Sequence, residues 1–491
     1  MRVNLLWPTG HDPAPAPVTH GDAAFHDLGI DSLCAAMARD DPIALAAIHA
    51  VLAAPVTDPE VIRHRHAVQA DCHAHPDAVR ALHRIAVEAG QVKRWKVGPA
   101  HQANGKLLLA LRPLTDLVAL LRRLRAACDR DGHLFDSAGF TDLVATVAAE
   151  LDDRYLDTLD AQLAAMDFDH GVHLSAGLDA DNRVTDLVLH DPVHRRRFGR
   201  RTGRTFRVIE EPDPEFDPLT RLRGRAIRVV ADVVAEATDH VQDFFHTLRA
   251  ELSFYLGCLA LRERLERAGV PTCLPDPLPV GLRCTGLRDP ALCLTDPGPV
   301  TGNDLVAEAV TLLVVTGANS GGKTTILRAL GAAHVMMQAG MFVLAERFES
   351  AVTAGVFTHF VTGEDRTLSH GKLVDELDRM SRTVDRLRPG ALLMCNESFS
   401  ATGERDATSI ATPLIEALLA AGVRVVFVTH LYEYARARYL ADHPGDLFLR
   451  AGHRPDGTRT YRFTPGPPES TSHAVDVYRR VFGRDPHLTT P

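Results

Sequence analysis

The segment Gly317-Ala318-Asn319-Ser320-Gly321-Gly322-Lys323-Thr324 restricts the fold of this chain more than any other stretch. It is a complete G-x-x-x-x-G-K-[ST] pattern, and its flanks supply the context the pattern needs. The apolar run 312–315 before it reads as a strand, and residues 325–330, beginning with Thr325, read as a helix. Glycines at these places let backbone N–H groups turn inward around phosphate oxygens, at a helix N-terminus that favours anions. Lys323 would then contact the β and γ phosphates, and the Thr324 hydroxyl would hold Mg²⁺. The expected fold is therefore α/β, with ATP as ligand and Mg as the accompanying ion.

Two further apolar runs, 392–395 and 425–428, alternate with helical stretches after Cys273, as in a mostly parallel sheet. The first ends in Asn396-Glu397, 74 residues after Lys323. P-loop ATPases usually close this strand with an Asp that helps hold the metal. Asn396 is a neutral, weaker partner, so hydrolysis is expected to be slow. Glu397 places a carboxylate where a general base could polarise the attacking water. The second run ends in Thr429-His430, whose imidazole could sense the γ-phosphate. A structural role for this histidine is the alternative.

The N-terminal half has a different texture. Residues 8–20 are rich in Pro, Gly and His and read as part of a loose leader, 1–22. Asp58 and Pro59 supply a cap and a first-turn proline for a helix over 60–72. Residues 115–128, bounded by Pro113 and a turn at 129–132, and residues 141–166 carry helical apolar spacing. Residues 171–176 and 184–189 alternate like strands. The pattern 219–268 is helical for roughly 75 Å at 1.5 Å per residue, until Gly269 and Pro271 end it. The expected layout is a helical core over 23–272, with lever arms and a β-containing tip at 169–217. The α/β domain follows over 273–491, with the boundary between 269 and 279.

Composition bounds the rest. Length allows about three domains of roughly 150 residues. A net charge of -9 excludes a uniformly basic coat. That mild total conceals residues 194–207, which hold seven arginines and no acid: Arg195, Arg196, Arg197, Arg200, Arg201, Arg204 and Arg207. Interleaved with Phe198 and Phe206, they suit salt-dependent contact with phosphates; a solvated loop or an acidic protein contact is the alternative. Of the basic residues only five are Lys, and one of these is Lys323. Eight cysteines show no C-x-x-C pair, and no apolar stretch reaches membrane-spanning length. A cytoplasmic protein with reduced thiols and no membrane is expected. The cluster His64, His66, Cys72, His73 and His75 lacks the spacing of a metal site.

Taken together, these motifs resemble the ATPase domain of the MutS mismatch-repair family, of the ABC type. The resemblance rests on 316–324, on 340–346, on Asn396-Glu397 with Thr402 and Asp406, and on Thr429-His430. Weaker similarity extends over roughly 55–480. It implies a homodimer with ATP held between two ATPase domains. Ser369, in Leu368-Ser369-His370-Gly371-Lys372, would contact the γ-phosphate of the opposite subunit, and could cap a helix as well. Residues 194–207 fall where the family carries its DNA clamp. About 55 residues precede the core, so the family's mismatch-reading domain is not expected, and neither is its C-terminal helix-turn-helix. The implied function is ATP-gated clamping of duplex or unusual DNA. A nucleotide-gated protein scaffold with little hydrolysis is the alternative. A transporter-associated ATPase leaves the helical half unexplained.

Overall fold

The computed structural model describes residues 1–11, 19–93, 103–166, 173–178, 184–190, 218–296, 298–317, 321–361, 371–454 and 458–469. Its contacts form two compact units. One comprises Met1–Asn4, His75–Asp136 and Phe140–Arg249; the other comprises Leu5–Ala74, Ser137–Gly139 and Ala250–Pro491. These units cut across the sequence boundary near 269–279.

The first unit is mainly helical. In helix Pro76–Gly90, Val79, Leu82, Ala86 and Ala89 recur at three- and four-residue spacing and are all buried. Pro113 lies inside helix Ala103–Asp131 rather than at its start. The apolar face Leu111, Leu114 and Val118 continues through the proline and packs on Leu163 and Val234. That burial outweighs the one backbone hydrogen bond a proline forfeits. The expected helix over 141–166 is two helices, Ala138–Glu150 and Asp153–Met166. The break falls at Asp152, whose carboxylate accepts from Tyr155 N–H at 2.6 Å and starts the second helix. Strands β1 (His173–Leu178) and β2 (Val184–His190) pair antiparallel. Helix Pro218–Arg267 is one continuous run of 50 residues, as its pattern predicts, and its residues up to Arg249 belong to this unit.

In the second unit the residues from Leu5 onward are held by specific contacts. Leu5 is fully buried. Its N–H and that of Leu6 donate to the Glu251 carboxylate at 2.9 and 3.1 Å, and Tyr255 Oη–H donates to the Leu5 carbonyl at 2.7 Å. The Arg65 guanidinium stacks 4.9 Å from the Trp7 ring. Buried His20 accepts from Val356 N–H through Nδ1 at 3.0 Å. The expectation of a loose leader over 1–22 is therefore corrected at both described ends. Residues 8–20 are rich in Pro, Gly and His, but Leu5, Trp7 and His20 make specific contacts on either side of the undescribed stretch. Helices Ile30–Ala38, Pro42–Ala53 and Pro59–Ala74 follow, the last with Asp58 accepting from Glu60 N–H at 2.8 Å.

Among the described residues this unit also carries ten strands. They are β3 (Asp276–Leu278), β4 (Leu282–Leu287), β5 (Asn303–Ala307), β6 (Leu312–Thr316) and β7 (Arg347–Ala351), then β8 (Val356–Phe360), β9 (Leu392–Asn396), β10 (Arg424–Val428), β11 (Asp446–His453) and β12 (Arg459–Pro465). The main sheet has the order β12-β11-β6-β10-β9-β8 and is parallel except for β12. A smaller sheet has the order β3-β7-β4-β5. Every residue of β6 and β8 is buried, the mark of parallel strands covered on both faces. Leu393, Cys395, Val425 and Phe427 pack with Ile415 and Leu418 of helix Glu404–Ala420 into one core. Among the described residues no helix is long and apolar enough to cross a membrane. All eight cysteines are free thiols.

Candidate functional site

The loop after β6 carries the first chemistry. Gly317 adopts φ +131°, and a Cβ there would lie 2.8 Å from that of Ala451. Gly322 adopts φ +90° immediately before helix Lys323–Gln338. Both conformations strongly favour glycine. Ala318, Asn319 and Ser320 lie outside the described residues; Gly321 is buried.

Lys323 opens the helix with its side chain only 4% exposed. Its Nζ donates to the Gly317 carbonyl at 2.8 Å and stands 3.8 Å from Glu397 Oε1. Burial pushes the ammonium below the usual lysine range, and Glu397 partly restores it. Thr324, exposed on the next position, donates its hydroxyl to the Asn396 side-chain oxygen at 3.3 Å. The two residues expected to share a metal ion thus meet.

The turn after β9 is strained. Glu397 and Phe399 hold φ of +56° and +69°, costly for residues with side chains. The surroundings enforce it. Glu397 N–H donates to Val428 O at 2.8 Å, Phe399 N–H donates to the buried Glu376 carboxylate at 2.5 Å, and the Phe399 ring is buried. Ser398 Oγ lies 2.7 Å from His359 Nδ1. Burial first, then nearby Arg379, lowers the His359 pKa to about 4, so the ring is neutral near pH 7.

These elements border a cleft of about 460 Å³ whose lining includes Gly322, Lys323, Thr324, Thr325 and Glu397. Asn303 and Tyr461 also line it. The Asn303 amide donates to Tyr461 O at 3.1 Å and accepts from Phe463 N–H at 2.9 Å. Tyr461 has φ +55° and a side chain about half exposed, a strained aromatic at the cleft wall. Its position depends on pairing across 158 residues, and no local signal announces that. His430 follows β10 and is half-buried, but it is not among the lining residues. Ser369 and the seven arginines of 194–207 lie outside the described residues.

The site's donors fit a nucleotide and a hard cation. Thr324 and Asn396 offer two neutral oxygens, the atom type Mg²⁺ prefers, and the buried Lys323 ammonium suits phosphate oxygens. Among the described residues no group of three His, Cys, Asp or Glu could hold a metal unaided. Phosphate oxygens and water would complete the shell.

Fold and cleft define a mixed α/β protein, a parallel-sheet domain joined to a helical region. The comparisons narrow this class. The family described as MutS2 N-terminal domain matches residues 57–268, and MutS domain V matches residues 313–461. The chain belongs to the MutS family. It is 26% identical to a protein named Endonuclease MutS2 from Lacticaseibacillus paracasei, over 82% of this chain and 52% of the relative. It is also 26% identical to DNA mismatch repair protein MutS of Natronomonas pharaonis, over 63% of this chain and 35% of the relative. With MutS protein homolog 4 of Mus musculus it shares 23% identity, over 36% of this chain and 19% of the relative. The chain spans about half the length of the Lacticaseibacillus relatives it matches.

Proposed function

We propose that this chain is an ATP-dependent DNA-binding protein of MutS type, whose nucleotide cleft is bounded by Lys323, Thr324 and Glu397. The observation carrying this reading is a buried ammonium 3.8 Å from a carboxylate on a strained turn, both bordering one polar cleft. Lys323 would exchange the Gly317 carbonyl for phosphate oxygens. Gly317 to Thr325 would wrap the phosphates with backbone N–H groups, including those of Ala318, Asn319, Ser320 and Gly321. Glu397 would take the proton of the attacking water, and the Tyr461 ring would offer a face to the base. Thr324 and Asn396 would hold Mg²⁺, which when bound neutralises phosphate charge.

The remaining parts of the proposal stand on the sequence. Ser369 of a second copy would reach the γ-phosphate in a homodimer, His430 would sense it, and the arginines of 194–207 would contact DNA phosphates. ATP binding would then set whether the arms close around DNA as a clamp.

The test is an ATPase assay without DNA and with single-stranded, duplex, mismatched and branched DNA, alongside duplex binding at several salt concentrations. Stimulation by one DNA and a fall in affinity of several orders between about 50 and 200 mM salt are expected. Salt-independent affinity, unchanged when the seven arginines are removed, would defeat the clamp reading. One feature favours a nucleotide-gated scaffold instead: Asn396 brings no charge to the metal position. No detectable turnover in the wild type, with nucleotide still bound, would establish that second reading.

A further inference from the structure

A second cleft lies at the opposite ends of the same strands. It has a volume of about 320 Å³, at the small end for ligand sites, and is walled by Leu282, Ala307, Leu330, Leu392, Met394 and Val426. Val280, 64% exposed, is also among its residues. None of the residues lining this space is acidic. Two polar residues with titratable or charged groups border it, His334 and Arg424.

The two differ in how fully they are satisfied. Buried His334 has both ring nitrogens engaged: Nδ1 lies 2.8 Å from Leu330 O and Nε2 lies 2.9 Å from Ser350 Oγ. Burial, reinforced by nearby Arg424, lowers its pKa to about 4, so it is neutral near pH 7. Arg424 is different. Its guanidinium donates through Nη2 to Val352 O at 3.0 Å, and among the described residues no other side-chain partner and no acid meets it. A guanidinium carries five donors and does not lose its proton in proteins. Arg424 is half-buried, and holding a guanidinium partly out of water without an anion is unfavourable; among the described residues no acid compensates it.

We propose that this cleft binds a small monocarboxylate with an apolar body, the carboxylate paired with the Arg424 guanidinium and the body against Leu330, Leu392 and Met394. One fixed charge on an apolar wall selects one anionic group on an apolar molecule. The planar guanidinium fork matches a carboxylate through two parallel hydrogen bonds. A polyanion such as a nucleotide would bring surplus charge into an apolar space, and an uncharged molecule would leave the cation unpaired. The site is separate from the Lys323 cleft and does not depend on the function proposed for it.

The experiment uses the full chain carrying ¹³C-methyl methionine, with octanoate as probe and octanamide as its uncharged counterpart. Octanoate is expected to shift the Met394 methyl resonance with saturation near about 1 mM, and octanamide to bind at least about tenfold more weakly. Arg424→Gln is expected to abolish the preference for the charged probe. Because that substitution could disturb β10, the octanoate and octanamide comparison on the wild type stands as an independent measurement. An unmoved Met394 resonance, or equal binding of both probes, overturns the proposal. So does an octanoate preference that survives in folded Arg424→Gln.

Discussion

Strands β6, β9 and β10 have two ends, and the contrast between them organises this unit. Their C-terminal ends run into Gly317, Glu397 and Thr429, where polar groups converge on a cleft. Their N-terminal ends border an apolar cleft. Ligands of open α/β sheets generally sit beyond the carboxyl ends of strands, so the first arrangement follows from topology and the second does not. Each end holds one cation, Lys323 buried and Arg424 half-buried, yet of the two only Lys323 has a carboxylate nearby among the described residues. An incoming phosphate must displace existing contacts at Lys323, whereas an anion at Arg424 would supply the first charge partner.

Both ends share a vulnerability to acid. His334 near one end and His359 near the other are held to about 4, primarily by burial. The unfolded histidines titrate near 6.5, so their contribution is complete above that pH and is lost as pH falls toward 4. Each shift corresponds to roughly 3.5 kcal/mol, together about 7 kcal/mol. His20 and His66 are displaced in the same direction. Glu251 acts oppositely. Burial raises it to about 7, so its contribution is present below about 4.5 and fades as pH rises through 7. Urea midpoints measured from pH 7 to pH 4 should therefore fall steeply below 6.5. A flat profile over that window would show that these histidines are not buried neutral.

Chemistry should separate the ends next. Glu397→Gln is expected to reduce ATP turnover by about 10²–10⁴-fold while nucleotide binding persists, as for removal of a general base. Equal turnover in the two proteins would remove Glu397 from the mechanism. Lys323→Ala should weaken nucleotide affinity by about ten- to a hundredfold, the range of a charge-assisted contact. Its nucleotide-free melting temperature should not drop, because the buried ammonium is itself disfavoured by burial. Calorimetric titration and thermal melts read these separately; unchanged affinity would place the phosphates elsewhere.

Much of the polar end was readable from local sequence. A glycine pattern between an apolar run and a helix, and a second apolar run closing in Asn396-Glu397, involve neighbours along the chain. Tyr461 and Asn303 were not legible as cleft walls, since the bond joining them spans 158 residues. The apolar end was equally silent. Arg424 looks like any strand-initiating arginine until Val352, 72 residues away, engages it. Helix ends misled where burial overrode local rules, as at Pro113, or where a single capping carboxylate mattered, as at Asp152. The segment ahead of Ala23 failed for a related reason: composition suggested freedom, but Leu5 and His20 make specific buried contacts.

The smallest expected effect concerns Asn396, and it tests why the polar end is charged as it is. With an amide there, Glu397 is the acid beside Lys323, and Thr324 donates to a neutral oxygen. Asn396→Asp would add a carboxylate, a stronger ligand for a hard cation. It would also set two acids side by side, raising the pKa of one and opposing part of the gain. The net should be modest, a lowering of the Mg²⁺ concentration for half-maximal turnover by about two- to fivefold, under about 1 kcal/mol. Turnover at saturating Mg²⁺ should change less, because Glu397 keeps its role. If half-saturation does not move, Asn396 is not at the metal. If it moves by orders of magnitude, the amide is the principal brake on hydrolysis, and the scaffold reading gains over the enzyme.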